Sequence, residues 1–166
     1  LLEGLDDDAA VALLKGLGVH GGPEDLLPVI HRYANHPLAL SVLGALITEG
    51  YGGRIDRLVD VSALDHKNRL FELLEETRKH LPEQDLPLRY LQVAAHFIEN
   101  PCFEPLSALL ATDVPAGRKG GTRGGYDGRQ LREVTVMLAK WNLIGWDAER
   151  EVIQLHPLVK DYFGGL

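Results

Sequence analysis

The spacing of apolar residues along the chain predicts a succession of helices. An acidic run at residues 6–8, followed by apolar residues at helical spacing, predicts a first helix with an acidic cap. Pro23 begins a second helix, in which Pro28 requires either a kink or a later start. The third runs from Pro37 to about residue 49 and is apolar nearly all round, which is typical of the central helix of a bundle.

Two more helical patterns complete the first half of the chain. A short helix is predicted over residues 54–61 and a longer amphipathic helix over residues 67–79. Residues 1–79 are therefore expected to form a small helical bundle. Pro82 and the polar residues after it are the expected junction with a second domain, residues 80–166.

The second half combines helical and strand-like patterns. Helical spacing covers about residues 86–99, 103–110 and 129–141. Residues 143–155 alternate around a polar turn, as in a β-hairpin, and Pro157 begins a last helix. This order is that of a winged-helix domain with an extra helix at its end. The predicted fold class is thus mainly α, a helical bundle followed by a winged-helix domain with a small β-hairpin wing.

The tripeptide His-Pro-Leu occurs twice, at residues 36–38 and 156–158, and each copy begins a predicted helix. A proline at the first helical position leaves the preceding histidine at the N-cap, beside amides without helical partners and the positive end of the helix dipole. Such a position can bind an anion or the edge of a nucleotide. The alternative is that each proline simply begins a helix and each histidine simply caps it. The occurrence of two copies favours a binding role.

Composition and charge narrow the classes of function. No apolar run approaches the roughly 18 residues that a membrane span needs, and no signal-peptide pattern begins the sequence. The single cysteine, Cys102, cannot form an internal disulfide, which favours a reducing, cytoplasmic location, and we expect it in the core. Met137 is the single methionine, so the chain is expected to be a piece of a longer protein.

The sequence carries no motif for catalysis or metal binding. Residues 117–122 come nearest to a P-loop but lack its spacing and its preceding strand, and the glycine-rich stretch at residues 116–128 is expected to be a connector. There is no Cys-x-x-Cys pair and no His-Glu-x-x-His run, so no metal site is predicted. Neither a nucleophile elbow nor a distinctive carboxylate pair supports hydrolase chemistry. We therefore expect no enzymatic activity from this chain.

The helix before the hairpin of a winged-helix domain can enter the major groove of DNA. Here its only basic residues are Arg129, Arg132 and Lys140, and they stand beside Glu133 and an acidic hairpin turn. The net charge is −7 for the whole chain, whereas nucleic-acid binding domains carry a basic excess. A packing role for this helix is therefore favoured over DNA binding.

The two motifs together resemble the STAND class of nucleotide switches, the NB-ARC family that includes plant disease-resistance proteins, apoptotic ATPase scaffolds and bacterial signalling proteins. In that family a P-loop domain is followed by a helical domain with a Gly-x-Pro-Leu-Ala-Leu motif, and then by a winged helix that ends in a Met-His-Asp-like motif. Residues 35–40, Asn-His-Pro-Leu-Ala-Leu, are similar to the first motif. Residues 155–163, Leu-His-Pro-Leu-Val-Lys-Asp-Tyr-Phe, are similar to the form of the second that bacterial members carry.

The resemblance implies roles for two residues. Pro37 corresponds to the proline that packs on adenine, and His156 to the histidine that contacts the β-phosphate of bound ADP. Asn35 stands in place of the motif glycine and Pro157 in place of the motif aspartate, so any role of that carboxylate is lost. Residues 1–79 would be the ARC1-like domain and residues 80–166 the ARC2-like domain of such a signal-transduction switch.

The resemblance also implies cofactors and partners. The parent protein would bind ADP or ATP with Mg²⁺, whereas this fragment alone would hold no cofactor. Its partners would be its own P-loop domain, a C-terminal sensor or repeat domain and a second copy on activation, but neither a membrane nor nucleic acid. Two alternatives stay open: a winged-helix transcription regulator, and a free-standing interaction module in which the helix from Pro37 exposes an apolar face.

Overall fold

The computed structural model describes residues 4–57, 66–81, 85–112 and 126–166. Its contacts divide the chain into two compact units, Leu1–Leu81 and Pro82–Leu166, which we call unit 1 and unit 2. The sequence analysis places the boundary two residues earlier, after residue 79. The expected junction at Pro82 and the glycine-rich stretch of residues 116–125 lie outside the described residues.

The named elements in the described part of unit 1 are all helices or helical turns. Its elements are α1 (Asp7–Gly16), α2 (Pro23–Arg32), α3 (Pro37–Ala45), a π-helical turn (Leu46–Gly50), a 3-10 turn (Ile55–Arg57) and α4 (His66–His80). Helices therefore begin at Pro23 and Pro37 as predicted, because a proline at the first position lacks only an amide that would have no helical partner. Of the helix predicted over residues 54–61, the described part is limited to the 3-10 turn.

Helix α3 is the centre of unit 1. Six of its nine residues are buried, and it packs against both α1 and α4. Gly44 allows the close approach of α1, because a Cβ atom there would lie 2.6 Å from Cδ1 of Leu17. This confirms the predicted central position, and it also means that the apolar surface of α3 is covered within its own unit.

Helix α2 continues through Pro28 and begins at Pro23 rather than later. Gly22 at its N-cap has no side chain to offer, and the carboxylate of Asp25 instead accepts a hydrogen bond of 3.1 Å from the Gly22 amide. The start of α2 is therefore stabilised from inside the helix.

Unit 2 has the predicted order of elements. They are α5 (Asp85–Ala95), α6 (Phe103–Thr112), α7 (Gly128–Lys140), β1 (Gly145–Asp147), β2 (Val152–Gln154) and α8 (Pro157–Gly164). The two strands pair antiparallel, with Trp146 opposite Ile153. The Asp147 carboxylate closes the turn between them by accepting hydrogen bonds from the amides of Glu149 and Arg150, at 3.1 and 3.0 Å. The mainly helical fold with a small β-hairpin is confirmed.

Helix α5 ends at Ala95, four residues before the predicted end. The amides of His96 and Phe97 bond to carbonyls only three residues earlier, which tightens the last turn. Pro101 cannot continue a helix, and it restricts the residue before it as well. The carbonyls that follow the helix are satisfied by Lys160 of α8, whose ammonium group donates to Phe97 and Ile98.

Residues 101–103 pair with β2, an element absent from the sequence prediction. The Ile153 amide donates to the Pro101 carbonyl at 2.9 Å, and the Phe103 amide donates to the Glu151 carbonyl at 2.7 Å. Side chains alternate across such a segment, so Pro101 and Phe103 are buried while Cys102 between them is exposed. The prediction that Cys102 is a core residue is therefore wrong.

The core of unit 2 lies mainly between α5 and α8, the two helices that pack most extensively, and it extends to α7. Tyr90, Leu91, Val159 and Phe163 are almost completely buried there. The Tyr90 hydroxyl lies 2.7 Å from the Thr135 hydroxyl of α7, so the two buried polar groups satisfy each other.

In the described part of the chain, none of the helices is both long and apolar enough to cross a membrane.

Candidate histidine-capped helix starts

The first His-Pro-Leu copy begins α3. His36 is the N-cap, with extended backbone angles of φ −72° and ψ 120°, and the Ala39 amide donates to its Nδ1 atom over 3.4 Å. This is a long and therefore weak hydrogen bond. Pro37 occupies the first helical position and is exposed, while the imidazole of His36 is half-buried. The exposed ring of Pro37 is available to a flat apolar partner.

The turn before this cap depends on Asn35, which stands where the resembled motif has glycine. Asn35 has φ 54°, in the left-handed region where asparagine is tolerated better than most residues. Its side-chain amide donates to the Leu5 carbonyl and to Asp7 Oδ1, both at 2.8 Å. Asn35 therefore adopts a left-handed conformation and connects this turn to the start of α1.

Asp7 joins this turn to helix α2 as well. His31 Nε2 lies 2.9 and 3.0 Å from the two carboxylate oxygens of Asp7. The hydrogen bond from Asn35, together with that from His31, holds the pKa of Asp7 below its ordinary value. The contact of His31 with Asp7 is not predicted from the sequence, because the two residues are 24 positions apart in the chain. Asp7, His31 and Asn35 thus stabilise the turn between α2 and α3, which directly precedes Pro37.

The second copy begins α8, directly after the hairpin. His156 is its N-cap, at φ −65° and ψ 140°, and the Leu158 amide donates to His156 Nδ1 over 3.3 Å. A single residue, Leu155, separates this cap from the end of β2, and the Leu155 amide donates to Asn100 Oδ1 at 3.4 Å. His156 and Pro157 are both exposed. The hairpin therefore determines where this histidine stands.

The two caps share one chemical consequence. An imidazole nitrogen that accepts an amide hydrogen carries no proton itself, so in the neutral ring the proton is on Nε2. In that tautomer, Nε2–H of His36 and of His156 is a hydrogen-bond donor. A neutral N–H donor at a helix N-terminus suits an anionic oxygen.

Pro37 belongs to unit 1 and His156 to unit 2. Each residue stands at the helix start that the sequence predicts for it.

The helix that could enter a DNA groove has its arginines already in ion pairs. In α7, Arg129 Nε lies 2.9 Å from the Glu133 carboxylate. An Arg132 guanidinium nitrogen lies 2.6 Å from the Glu151 carboxylate, and the group stacks over the Phe103 ring at 4.5 Å. The carboxylate beside each arginine reduces the positive charge that α7 presents to a phosphate.

No cluster of His, Cys, Asp and Glu in the described ranges could hold a metal ion. Comparisons of the chain with models of known protein families, with curated proteins and with solved structures find no match. The two histidine caps and the order of elements in unit 2 are therefore the features from which a function can be argued.

Proposed function

We propose that this chain is the non-catalytic regulatory part of an ATP/ADP-dependent STAND signalling switch. In this proposal the nucleotide is held by a P-loop domain elsewhere in the parent protein, and the two units of this chain contact it. The observation that carries the proposal is the position of His156, an exposed N-cap with a donor on Nε2, one residue after the hairpin of unit 2.

His156 donates from Nε2 to the β-phosphate of ADP, in the positive field of the α8 N-terminus. Pro37 packs on the adenine ring. ADP then stabilises a closed arrangement, and exchange for ATP releases it, because a ligand shifts an equilibrium only through contacts that differ between the two states. Release permits assembly with further copies of the parent protein.

The geometry gives less support to the two alternatives. A DNA-binding winged helix needs a basic excess on its binding surface, whereas Arg129 and Arg132 stand beside Glu133 and Glu151 in a chain of net charge −7. An interaction module that docks through α3 needs an exposed apolar face on that helix, whereas six of its nine residues are buried. The proposed cofactors are ADP or ATP with Mg²⁺ in the parent protein, the proposed partners are its P-loop domain and a C-terminal sensor or repeat domain, and the proposed location is the cytoplasm.

The test uses His156→Asp in the parent protein. Aspartate is among the best N-cap residues, so α8 keeps its start, but a carboxylate repels the phosphate instead of donating to it. A hydrogen bond to a charged group contributes about 1.5–3 kcal/mol, so ADP should dissociate roughly 10- to 100-fold more readily. The measurement is the ADP dissociation rate, followed with a fluorescent ADP analogue, together with basal signalling, which should rise.

The matched control is His96→Ala. His96 is an exposed histidine of unit 2 whose Nδ1 lies 2.7 Å from the Gln92 carbonyl, and it is not at a helix start. Its replacement should leave ADP dissociation unchanged. Wild-type ADP retention and autoinhibition in the His156→Asp protein would refute the role assigned to His156.

A second measurement examines the premise of a P-loop domain. The coding region upstream of Leu1 should encode a strand followed by Gly-x4-Gly-Lys and Ser or Thr within about one domain length. We expect only weak ADP binding to the isolated chain in calorimetry, because most phosphate contacts would be missing. If the upstream motif is absent, both His-Pro-Leu copies would be ordinary helix starts without a role in nucleotide binding.

A further inference from the structure

Unit 2 contains a cleft of about 780 Å³ between the residues that follow α5 and the first turns of α8. Part of its wall is apolar and is formed by Ala94, Pro101, Leu155 and Pro157. Ile98 also lines it and is 97% exposed, the highest value for a large apolar side chain in the described ranges. Such an isoleucine beside an apolar cleft is a feature of binding surfaces.

The position of Ile98 is fixed. The Lys160 ammonium group donates to the carbonyl of Ile98 at 3.2 Å and to that of Phe97, which ties this turn to α8. The turn itself follows directly from the tightened end of α5, where the Phe97 amide bonds to the Ala94 carbonyl. These hydrogen bonds hold the backbone at Ile98 against α5 and α8, and the Ile98 side chain is exposed to solvent.

The cleft carries negative charge. The carboxylates of Glu99 and Asp161 line it, and within the part of the chain that the structure describes neither has an ion-pair partner. Lys160 supplies the opposite charge, but its ammonium group is directed at carbonyls beyond the C-terminal end of α5. The residues that line the cleft therefore combine apolar side chains with two carboxylates.

We propose that this cleft, which we call the Ile98 cleft, binds a peptide segment of a partner protein in which an aliphatic or aromatic side chain stands next to Lys or Arg. The apolar side chain covers Ile98 and the apolar wall, and the cation pairs with Glu99 and Asp161. This inference goes beyond the nucleotide switch, and the peptide needs no nucleotide in order to bind, although Leu155 and Pro157 of the cleft flank His156.

The charges disfavour other occupants. A second copy docked through the same face would bring Glu99 and Asp161 of both copies together, because a two-fold interface pairs a patch with itself. Phosphates of nucleic acid and of anionic lipids would be repelled by the same two carboxylates. A basic and apolar peptide is the class that satisfies both the charge and the exposed isoleucine.

The experiment uses the 166-residue chain and two fluorescein-labelled peptides. The basic probe is Gly-Lys-Leu-Lys-Phe-Arg-Gly with blocked ends, and the acidic probe carries Glu in place of each Lys and Arg. Fluorescence anisotropy should show binding of the basic probe, weakened by added salt, and at least tenfold weaker binding of the acidic probe. Ile98→Ser should weaken binding of the basic probe at least fivefold. The double variant Glu99→Gln, Asp161→Asn should reduce the salt dependence of that binding.

The matched control is Leu109→Ser, which removes another exposed leucine-sized side chain of unit 2 that does not line the cleft. It should bind the basic probe like the wild type. Because Ile98 is almost fully exposed, Ile98→Ser should fold normally, which circular dichroism checks before binding is measured.

Three results would overturn the proposal. The first is no binding of the basic probe, or equal binding of both probes. The second is wild-type affinity in the Ile98→Ser chain. The third is a result that assigns the cleft to a different occupant. It would be either a concentration-dependent dimer in sedimentation that Ile98→Ser abolishes, or retention of the chain on phosphatidylserine vesicles that depends on Ile98.

Discussion

Replacing Gly44 by alanine tests whether the close contact between α1 and α3 controls the stability of unit 1. Gly44 is buried near the end of α3. A Cβ atom there would lie 2.6 Å from Cδ1 of Leu17, 3.2 Å from its Cβ and 3.3 Å from Cδ2 of Leu14. The Cδ1 atom can rotate away, but the Leu17 Cβ is fixed to the C-cap of α1, so the helix itself has to shift.

Two opposing effects give the magnitude. Overpacking of a formed core costs about 1–3 kcal/mol. Alanine has a better helix propensity than glycine by about 1 kcal/mol, which offsets part of that cost. We therefore expect Gly44→Ala to lower the free energy of unfolding by about 1 kcal/mol, with the sign decided by the Leu17 contact.

Gly16 provides the matched control, because it is also a helical glycine of unit 1. It is exposed at the end of α1, and a Cβ atom there would have no neighbour within 4 Å. Gly16→Ala should therefore gain the propensity without the clash and raise the free energy of unfolding by up to about 1 kcal/mol. The same chemical change is expected to have opposite signs at the two sites.

The assay is urea denaturation followed by far-ultraviolet circular dichroism, with midpoints compared at equal slope. Trp141 and Trp146 are the only tryptophans of the chain and both lie in unit 2, so tryptophan fluorescence follows that unit separately. The reasoning fails if Gly44→Ala raises the midpoint as Gly16→Ala does, because the contact with Leu17 would then impose no cost.

Two further predictions concern titration. Burial raises the pKa of Tyr90 to about 12, so the free energy of unfolding should be insensitive to this group below the ordinary value of 10.0 and fall as the pH rises towards 12. Tyr90→Phe should make that fall smaller, while the buried Tyr33, whose pKa is also raised, keeps its share. Loss of the hydrogen bond with Thr135 should cost about 1 kcal/mol at neutral pH, and a spectrophotometric titration in which all tyrosines ionise near 10.0 would contradict the prediction. The hydrogen bonds from Asn35 and His31 lower the pKa of Asp7, so its stabilising effect should be complete above the ordinary aspartate pKa and be lost as the pH falls through its own lower value. Carboxyl chemical shifts in NMR would measure this, and Asn35→Ala should return the Asp7 pKa towards normal.

The starts of the helices could be predicted from the sequence alone. Pro23, Pro37 and Pro157 each begin a helix, as the sequence predicts, because a proline fixes its own φ and needs no amide partner. The histidine N-caps follow directly from the two latter starts. These are local effects that depend on neighbouring residues only, so no tertiary information was required. The nucleotide roles of Pro37 and His156 stay predictions.

Other features depend on residues that are distant in sequence. The early end of α5 involves Lys160, and the pairing of residues 101–103 with β2 exposes Cys102. A single alternation of side chains over three residues leaves too little pattern to predict such a segment. The residues around Cys102 therefore could not show that its side chain would be exposed.

Hydrophobic period and proline geometry predict the order of the helices, the hairpin and both histidine caps, because they are properties of short stretches. Folding of the whole chain was needed to bring Asp7 to His31 and Arg132 to Glu151. These features are set by distances between side chains that folding brings together, and they depend on the packing of whole helices.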